Sequence, residues 1–231
     1  MHVVDTAIAP FGPEHLDPAV RLSRQAGWPH RLEDWQMALA ISEGFVAVEG
    51  DGKVAGTILL TPYGEDCATI NMVIVDEATR GRGLGRRLMD AALTRAAGRP
   101  LRLTATAEGL PLYRKLGFVE TGTVVQHQGI AGPVAAPDYT EAARPDDITA
   151  IAELDRAAYG ADRRNLIAEV DRRGRPAVAA GRLATSPGRL ANGTGDQRRF
   201  RRGRGRWQGG RHDPAYVLWR GLRDDQHGHR R

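Results

Sequence analysis

At 231 residues the chain has room for one large domain or for a domain and a half, and its 41% apolar content is that of an ordinary globular protein. No apolar run reaches the roughly 18–20 residues that a membrane span needs, and the N-terminus MHVVDTAIAPF lacks the basic and apolar regions of a secretion signal. The net charge of +5 hides an asymmetry, because from Arg172 onward 16 arginines face 4 aspartates while the remainder carries 17 basic against 24 acidic residues.

In chain order, Val3 to Ala9 alternates loosely and ends at Pro10, which predicts a first strand. Pro13 to Ala26 sets Leu16, Val20 and Leu22 at helical spacing and stops at Gly27. Gly27-Trp28-Pro29-His30 is a turn carrying a large aromatic. Leu32 to Ile41 predicts a second helix with Leu32, Trp35 and Leu39 facing inward and Met37 as a further candidate for that face. Phe45 to Glu49 and Val54 to Thr61 flank Gly50-Asp51-Gly52-Lys53, and Asp-Gly is a strong hairpin signal. Tyr63-Gly64-Glu65-Asp66 is a second turn, leading into a strand from Cys67 to Val75. Cys67 is the single cysteine. It cannot form an internal disulfide, which fits a reducing cytoplasm, and in a strand it reads as a small buried hydrophobe. A helix from Leu84 to Ala97, a strand from Leu101 to Ala105, a short helix from Glu108 to Leu116 and a strand from Phe118 to Gln126 complete a first unit, residues 1–130.

A linker near Val134 opens a second, partial unit, residues 134–181. Helices are expected from Asp146 to Tyr159 and from Asn165 to Arg173, with a strand from Pro176 to Ala180. This echoes the strand–helix–helix–strand opening of the first unit and stops near Gly181. Residues 182–231 show no helix or strand periodicity and few aliphatic residues to bury. Two readings of this Arg/Gly-rich tail stay open. One is a nucleic-acid-binding segment with Phe200 or Trp207 stacked on bases. The other is a disordered or non-native extension, such as out-of-frame translation. Arg202-Gly203-Arg204-Gly205 mimics a phosphate loop, but no strand precedes it and no helical pattern comes after it.

The chemistry concentrates between Ile70 and Gly85, INMVIVDEATRGRGLG. An apolar strand ends in a polar turn, and Arg80-Gly81-Arg82-Gly83-Leu84-Gly85 opens directly into a helix. The unpaired amides and positive dipole end of a helix's first turn favour an anion, and glycines let it come close. The spacing Arg-x-x-Gly-x-Gly is neither the dinucleotide fingerprint nor the P-loop. About thirty residues on stands Leu110-Pro111-Leu112-Tyr113-Arg114-Lys115-Leu116-Gly117-Phe118.

These two motifs, in this order, resemble the signature of the GNAT superfamily, the acyl-CoA-dependent N-acetyltransferases, over about Met1 to Gly129. The resemblance implies an α/β (α+β) fold with a mixed, mostly antiparallel sheet flanked by helices. It implies acetyl-CoA as co-substrate, no metal, and direct transfer of acetyl to a primary amine of a small molecule or peptide in a ternary complex. By the same resemblance, Arg80 to Gly85 grips the pyrophosphate, and Val73, Ile74 and Val75 pair with the pantetheine arm. The Val73 N–H would polarise the thioester carbonyl, and Tyr113 would protonate the departing thiolate or merely pack the short helix. Arg86 and Arg87 either serve the adenosine phosphate or are solvated helix residues.

Some GNAT enzymes keep a basic Glu near the position that Thr69 holds here. Glu65, Asp66, Glu108 and His30 remain as candidate bases, as does no dedicated base at all. Trp28, His30 and Tyr63 fall at the expected substrate mouth. The alternatives are an acyl-CoA-binding regulator without turnover, or nucleic-acid binding through the tail alone.

Overall fold

The sheet is a meander that turns back where the sequence places its glycines. In the computed structural model, which describes residues 5–125, 143–174 and 214–221, strands β1 (Thr6–Pro10), β2 (Glu43–Glu49), β3 (Val54–Tyr63) and β4 (Cys67–Val75) pair antiparallel in that order. Gly52 takes φ 85° in the β2–β3 turn, where Asp51 Oδ1 accepts from the Lys53 amide at 2.9 Å. Helices α1 (Leu16–Gln25) and α2 (Leu32–Ile41) lie between β1 and β2 in the chain, and α3 (Leu84–Ala96) crosses over so that β5 (Leu101–Ala105) runs parallel beside β4. Then come α4 (Leu110–Lys115), β6 (Val119–Val125), α5 (Ile148–Tyr159), α6 (Arg164–Gly174) and β7 (Pro214–Arg220). Among the described residues the strand order is β1-β2-β3-β4-β5-β7-β6, the mixed, mostly antiparallel sheet expected from the sequence.

Alternation along the strands supplies two cores. Ala47, Ile58 and Ile70 pack with Leu88, Met89 and Ala92 of α3, while the neighbouring Val46 and Leu59 pack with Val20, Leu22 and Trp35 of α1 and α2. Successive side chains of a strand point to opposite faces, so one strand feeds both layers. The first helix departs from expectation. A 3-10 turn occupies Pro13–His15 and α1 starts only at Leu16. Pro18 lacks an amide hydrogen, which an α-helix tolerates in its first turn but not five residues in.

A bulge in β4 splays the sheet at its centre. Leu59 pairs with Asn71 and Thr57 with Ile74, so Met72 and Val73 together face the single residue Ile58. Met72 takes φ 53°, the left-handed region that non-glycine residues rarely enter. The fully buried Thr57 donates its hydroxyl to Met72 O at 2.8 Å and holds the bulge. Pairing of β4 with β5 covers only Ala68–Ile70 against Leu101–Leu103, and past Ile70 the two strands part.

The structure corrects one expectation for the tail. Residues 214–220 are not irregular: they form β7, which fills the gap between β5 and β6, with Leu103 opposite Leu218 and Thr123 opposite Tyr216. Its run PAYVLWR is rich in residues that suit a pleated, half-buried surface. That signal is masked by the arginines and glycines around it. The rest of the tail, the 134–142 linker and the strand expected at Pro176–Ala180 lie outside the described residues.

Leu218 is fully buried in the same core as Leu103 and Phe118. Leu218→Ala is therefore expected to lower the unfolding free energy by about 2–4 kcal/mol in urea titrations. A change below about 0.5 kcal/mol, the level of an ordinary surface substitution, would remove β7 from its place in the sheet.

Candidate active site

The loop after β4 is bent by two glycines, Gly81 at φ 79° and Gly83 at φ 77°, and Gly83 is the N-cap of α3. Any side chain at either position would be strained. The first-turn amides of α3 have no acceptor within the helix and carry the positive end of its dipole. They open onto a groove of about 670 Å3 whose walls include Val73, Ile74 and Val75 on one side and Thr106, Gly109, Leu112 and Tyr113 on the other. Gly81, Gly83, Leu84 and Gly85 also line it. A nest of amides beside a splayed strand edge fits a pyrophosphate carrying an amide-bearing arm.

The junction between strand and loop is held by Asp76. Its buried carboxylate pairs with Lys53 Nζ at 2.8 Å and accepts from the Ala78 amide at 2.9 Å. The Lys53 contact holds the carboxyl below the usual carboxylate range. The arginines of the loop divide by task. Arg80 and Arg86 line the groove, whereas Arg82 turns to Glu49 at 2.9 Å and lies outside its lining. Arg87 donates to the Thr6 carbonyl at 2.6 Å, a strut between α3 and β1.

A second cavity of about 360 Å3 adjoins the first, and both share Trp28, Val73, Thr106, Gly109 and Tyr113. Their junction thus lies at the bulged strand and the tyrosine. Tyr113 is 7% exposed, and burial pushes its phenol up to about 12, so it stays protonated at physiological pH. Its ring meets Phe118 edge-on at 6.1 Å. Trp28, His30 and Tyr63, read from the sequence as the substrate mouth, all line the second cavity.

Of the candidate bases, the structure brings two to the cavities. Glu108 is exposed on the groove, and His30 lines the second cavity. Asp66 is not brought to either; it accepts from the Asp162 amide at 3.2 Å, and Glu65 is exposed in the same turn. His30 Nδ1 lies 3.1 Å from Ser23 Oγ, which itself accepts from Trp35 Nε1 at 3.0 Å. Burial lowers the His30 pKa from its ordinary value. Cys67 is buried and its thiol is pushed up by burial, the wrong direction for a nucleophile.

Sequence reasoning missed Ser23, Asn71 and Leu166. Asn71 interrupts the apolar run of β4 and lines the second cavity, so a polar residue inside that run was the available signal. Ser23 and Leu166 carry no local signal.

Three likenesses bear on this geometry. A family model described as the Acetyltransferase (GNAT) family matches residues 9–118. The uncharacterized N-acetyltransferase YitH of Bacillus subtilis (strain 168) is 34% identical over 180 residues, covering 74% of this chain and 61% of that protein. The crystal structure of a candidate acetyltransferase from Pyrococcus horikoshii has the same fold, with TM-score 0.64 and 22% identity, over 75% of this chain and 64% of the other. The chain thus spans somewhat less than two thirds of the length of either relative.

Proposed function

We propose, from the membership of residues 9–118 in the GNAT acetyltransferase family, that the protein moves acetyl from acetyl-CoA to a primary amine by direct attack. The observation that carries this reading is the meeting of two cavities at Val73 and Tyr113, one shaped for a nucleotide-bearing arm and one for an acceptor. In this reading the α3 amides with Arg80 hold the pyrophosphate, and the edge of β4 at Val73–Val75 pairs with the pantetheine amides. The amine nitrogen attacks the thioester carbon, with the Val73 N–H on the developing oxyanion. The carbon–sulfur bond breaks, and Tyr113 supplies a hydrogen bond and then a proton to the sulfur.

The proton lost by the amine goes to His30 or, through the groove, to Glu108. His30 is the better placed, because it lines the acceptor cavity itself. If its Nδ1–H donates to Ser23, Nε2 is left unprotonated toward the amine. Buried histidines favour the neutral form, so His30 is a ready base at neutral pH.

Acetyl-CoA at about a hundred times its Kd is expected to stabilise the protein by about 2.7 kcal/mol, read as a rise in Tm; no rise at millimolar ligand sinks the reading. Tyr113→Phe should keep that rise while kcat falls by roughly 10- to 100-fold, and an unchanged kcat would remove Tyr113 from the chemistry. Because the His30 pKa is depressed, kcat/KM should hold above pH 6.5 and fall as pH drops through a value below it. His30→Gln should abolish that acid limb, and persistence of the limb would pass the role to another group.

A further inference from the structure

Helices α5 and α6 lie outside residues 9–118, yet they are fastened to the acceptor side of the first unit. Tyr159, the last residue of α5, is the anchor. The Arg102 and Arg163 guanidinium groups lie over its ring, at 4.7 and 3.8 Å from the centroid. Arg102 Nη1 also donates to the Tyr159 carbonyl at 2.7 Å, and the phenol oxygen lies 3.3 Å from Thr69 Oγ1. Tyr63 meets the same ring edge-on at 5.8 Å. The turn between the two helices is seated as firmly. Ala161 is 1% exposed against Tyr63 and Cys67, and Asn165 Nδ2 donates to the Pro62 carbonyl at 3.2 Å. Cation–π contacts strengthen as the arginine is desolvated, and together with these hydrogen bonds they fasten the hairpin to the first unit.

This seat delivers Leu166 of α6 into the lining of the acceptor cavity, which Trp28 and Met37 share. The chemistry of that lining is narrow. Ile41, Ile70 and Leu103 add apolar surface, and among the described residues no Asp or Glu lines the cavity. Asn71 donates from Nδ2 to Thr61 Oγ1 at 3.0 Å and to the Thr69 carbonyl at 3.4 Å, which leaves its Oδ1 as acceptor. This acceptor and the Thr61, Thr104 and Thr106 hydroxyls that also line the cavity are uncharged: they can hold an amine but supply no counter-charge to an ammonium group. A substrate with further ammonium groups would bury them without a counter-charge, which their desolvation opposes.

Resting on the acetyltransferase reading above, we propose that the α5–α6 hairpin is the outer wall of the acceptor site, and that this site takes a monoamine with an aryl or branched alkyl body. Leu166 sets how large that body can be. The substrate lies with its apolar part between Leu166, Trp28 and Met37, and its nitrogen directed to the junction at Val73 and Tyr113.

The test is a set of initial rates with acetyl-CoA and four amines: isoamylamine, phenethylamine, tryptamine and spermidine. Wild type is expected to favour phenethylamine over spermidine by at least roughly tenfold in kcat/KM. Leu166→Ala should move the preference toward tryptamine and Leu166→Phe toward isoamylamine. In both, the amine KM should change and the acetyl-CoA KM should not, and Tm records that both apolar exchanges fold. A helix that merely braces the fold would not shift size preference in opposite directions. Preference for spermidine, an unchanged ranking in both variants, or no turnover of any monoamine by a protein that acetyl-CoA stabilises would each overturn the proposal. Absence of stabilisation by acetyl-CoA would instead remove the reading on which it rests.

Discussion

One hydrogen bond, from Thr57 Oγ1 to the Met72 carbonyl, underlies the shape of the whole site. This bulge places one residue in the left-handed backbone region, which costs a non-glycine residue about 1–3 kcal/mol. Here the residue is Met72, and the surrounding layers hold it there: Thr57 is fully buried on β3, and Met72 packs at the margin of the core around Trp35. The consequence is geometric. With the bulge, β4 and β5 stay paired for three residues and then part, leaving one strand edge facing an opening where a flat sheet would have closed it. Both cavities border on Val73, one of the two residues of the bulge.

At the same junction, several of the basic residues near the glycine loop are tied into the fold. Five arginines or lysines surround the loop, at 53, 80, 82, 86 and 87. Lys53 neutralises buried Asp76, Arg82 reaches Glu49 on β2, and Arg87 caps the Thr6 carbonyl of β1. These three tie the loop and helix to the meander on which they rest. A helix N-terminus can hold an anion only if its own position is fixed, since the dipole acts over little more than one turn. Arg80 and Arg86 line the groove, and each also has a contact of its own, Arg80 with the Val75 carbonyl and Arg86 with Asp90.

Much of this architecture is legible in local pattern. The strand Cys67–Val75 and the second helix Leu32–Ile41 coincide with the sequence reading, because each is bounded by a turn or cap with its own chemistry. The glycine loop is legible for the same reason, whereas Tyr113 stands out only through the family resemblance of its segment. What local pattern does not carry is long-range. Ser23 reaches His30 only because the turn after α1 brings the chain back beside that helix, and Leu166 reaches the second cavity only because Tyr159 docks on Thr69, 90 residues away in sequence. The bulge is likewise silent in the sequence. Met72 has no turn-forming side chain, and its backbone conformation is imposed by the register on either side. Asp66 reads as a candidate base from its position in a turn near β4, and only the fold shows it turned to the amide of Asp162.

The position of β7 gives the α5–α6 hairpin its reason to be where it is. In chain order the hairpin lies between β6 and β7, which pair side by side although residues 126 to 213 separate them. Closing so long a connection costs about 3 kcal/mol more than closing a tight hairpin, by the logarithmic dependence of loop entropy on length. Docking Tyr159, Ala161 and Asn165 on the first unit divides that long connection into two shorter ones. Two shorter closures need less ordering at the moment β7 finds its slot, and Leu218 then seals the core beneath it. The insertion is thus held at its middle by the acceptor side of the sheet and at its end by the sheet's last vacancy. A wall fastened at both points is what the proposed selection by substrate size would require.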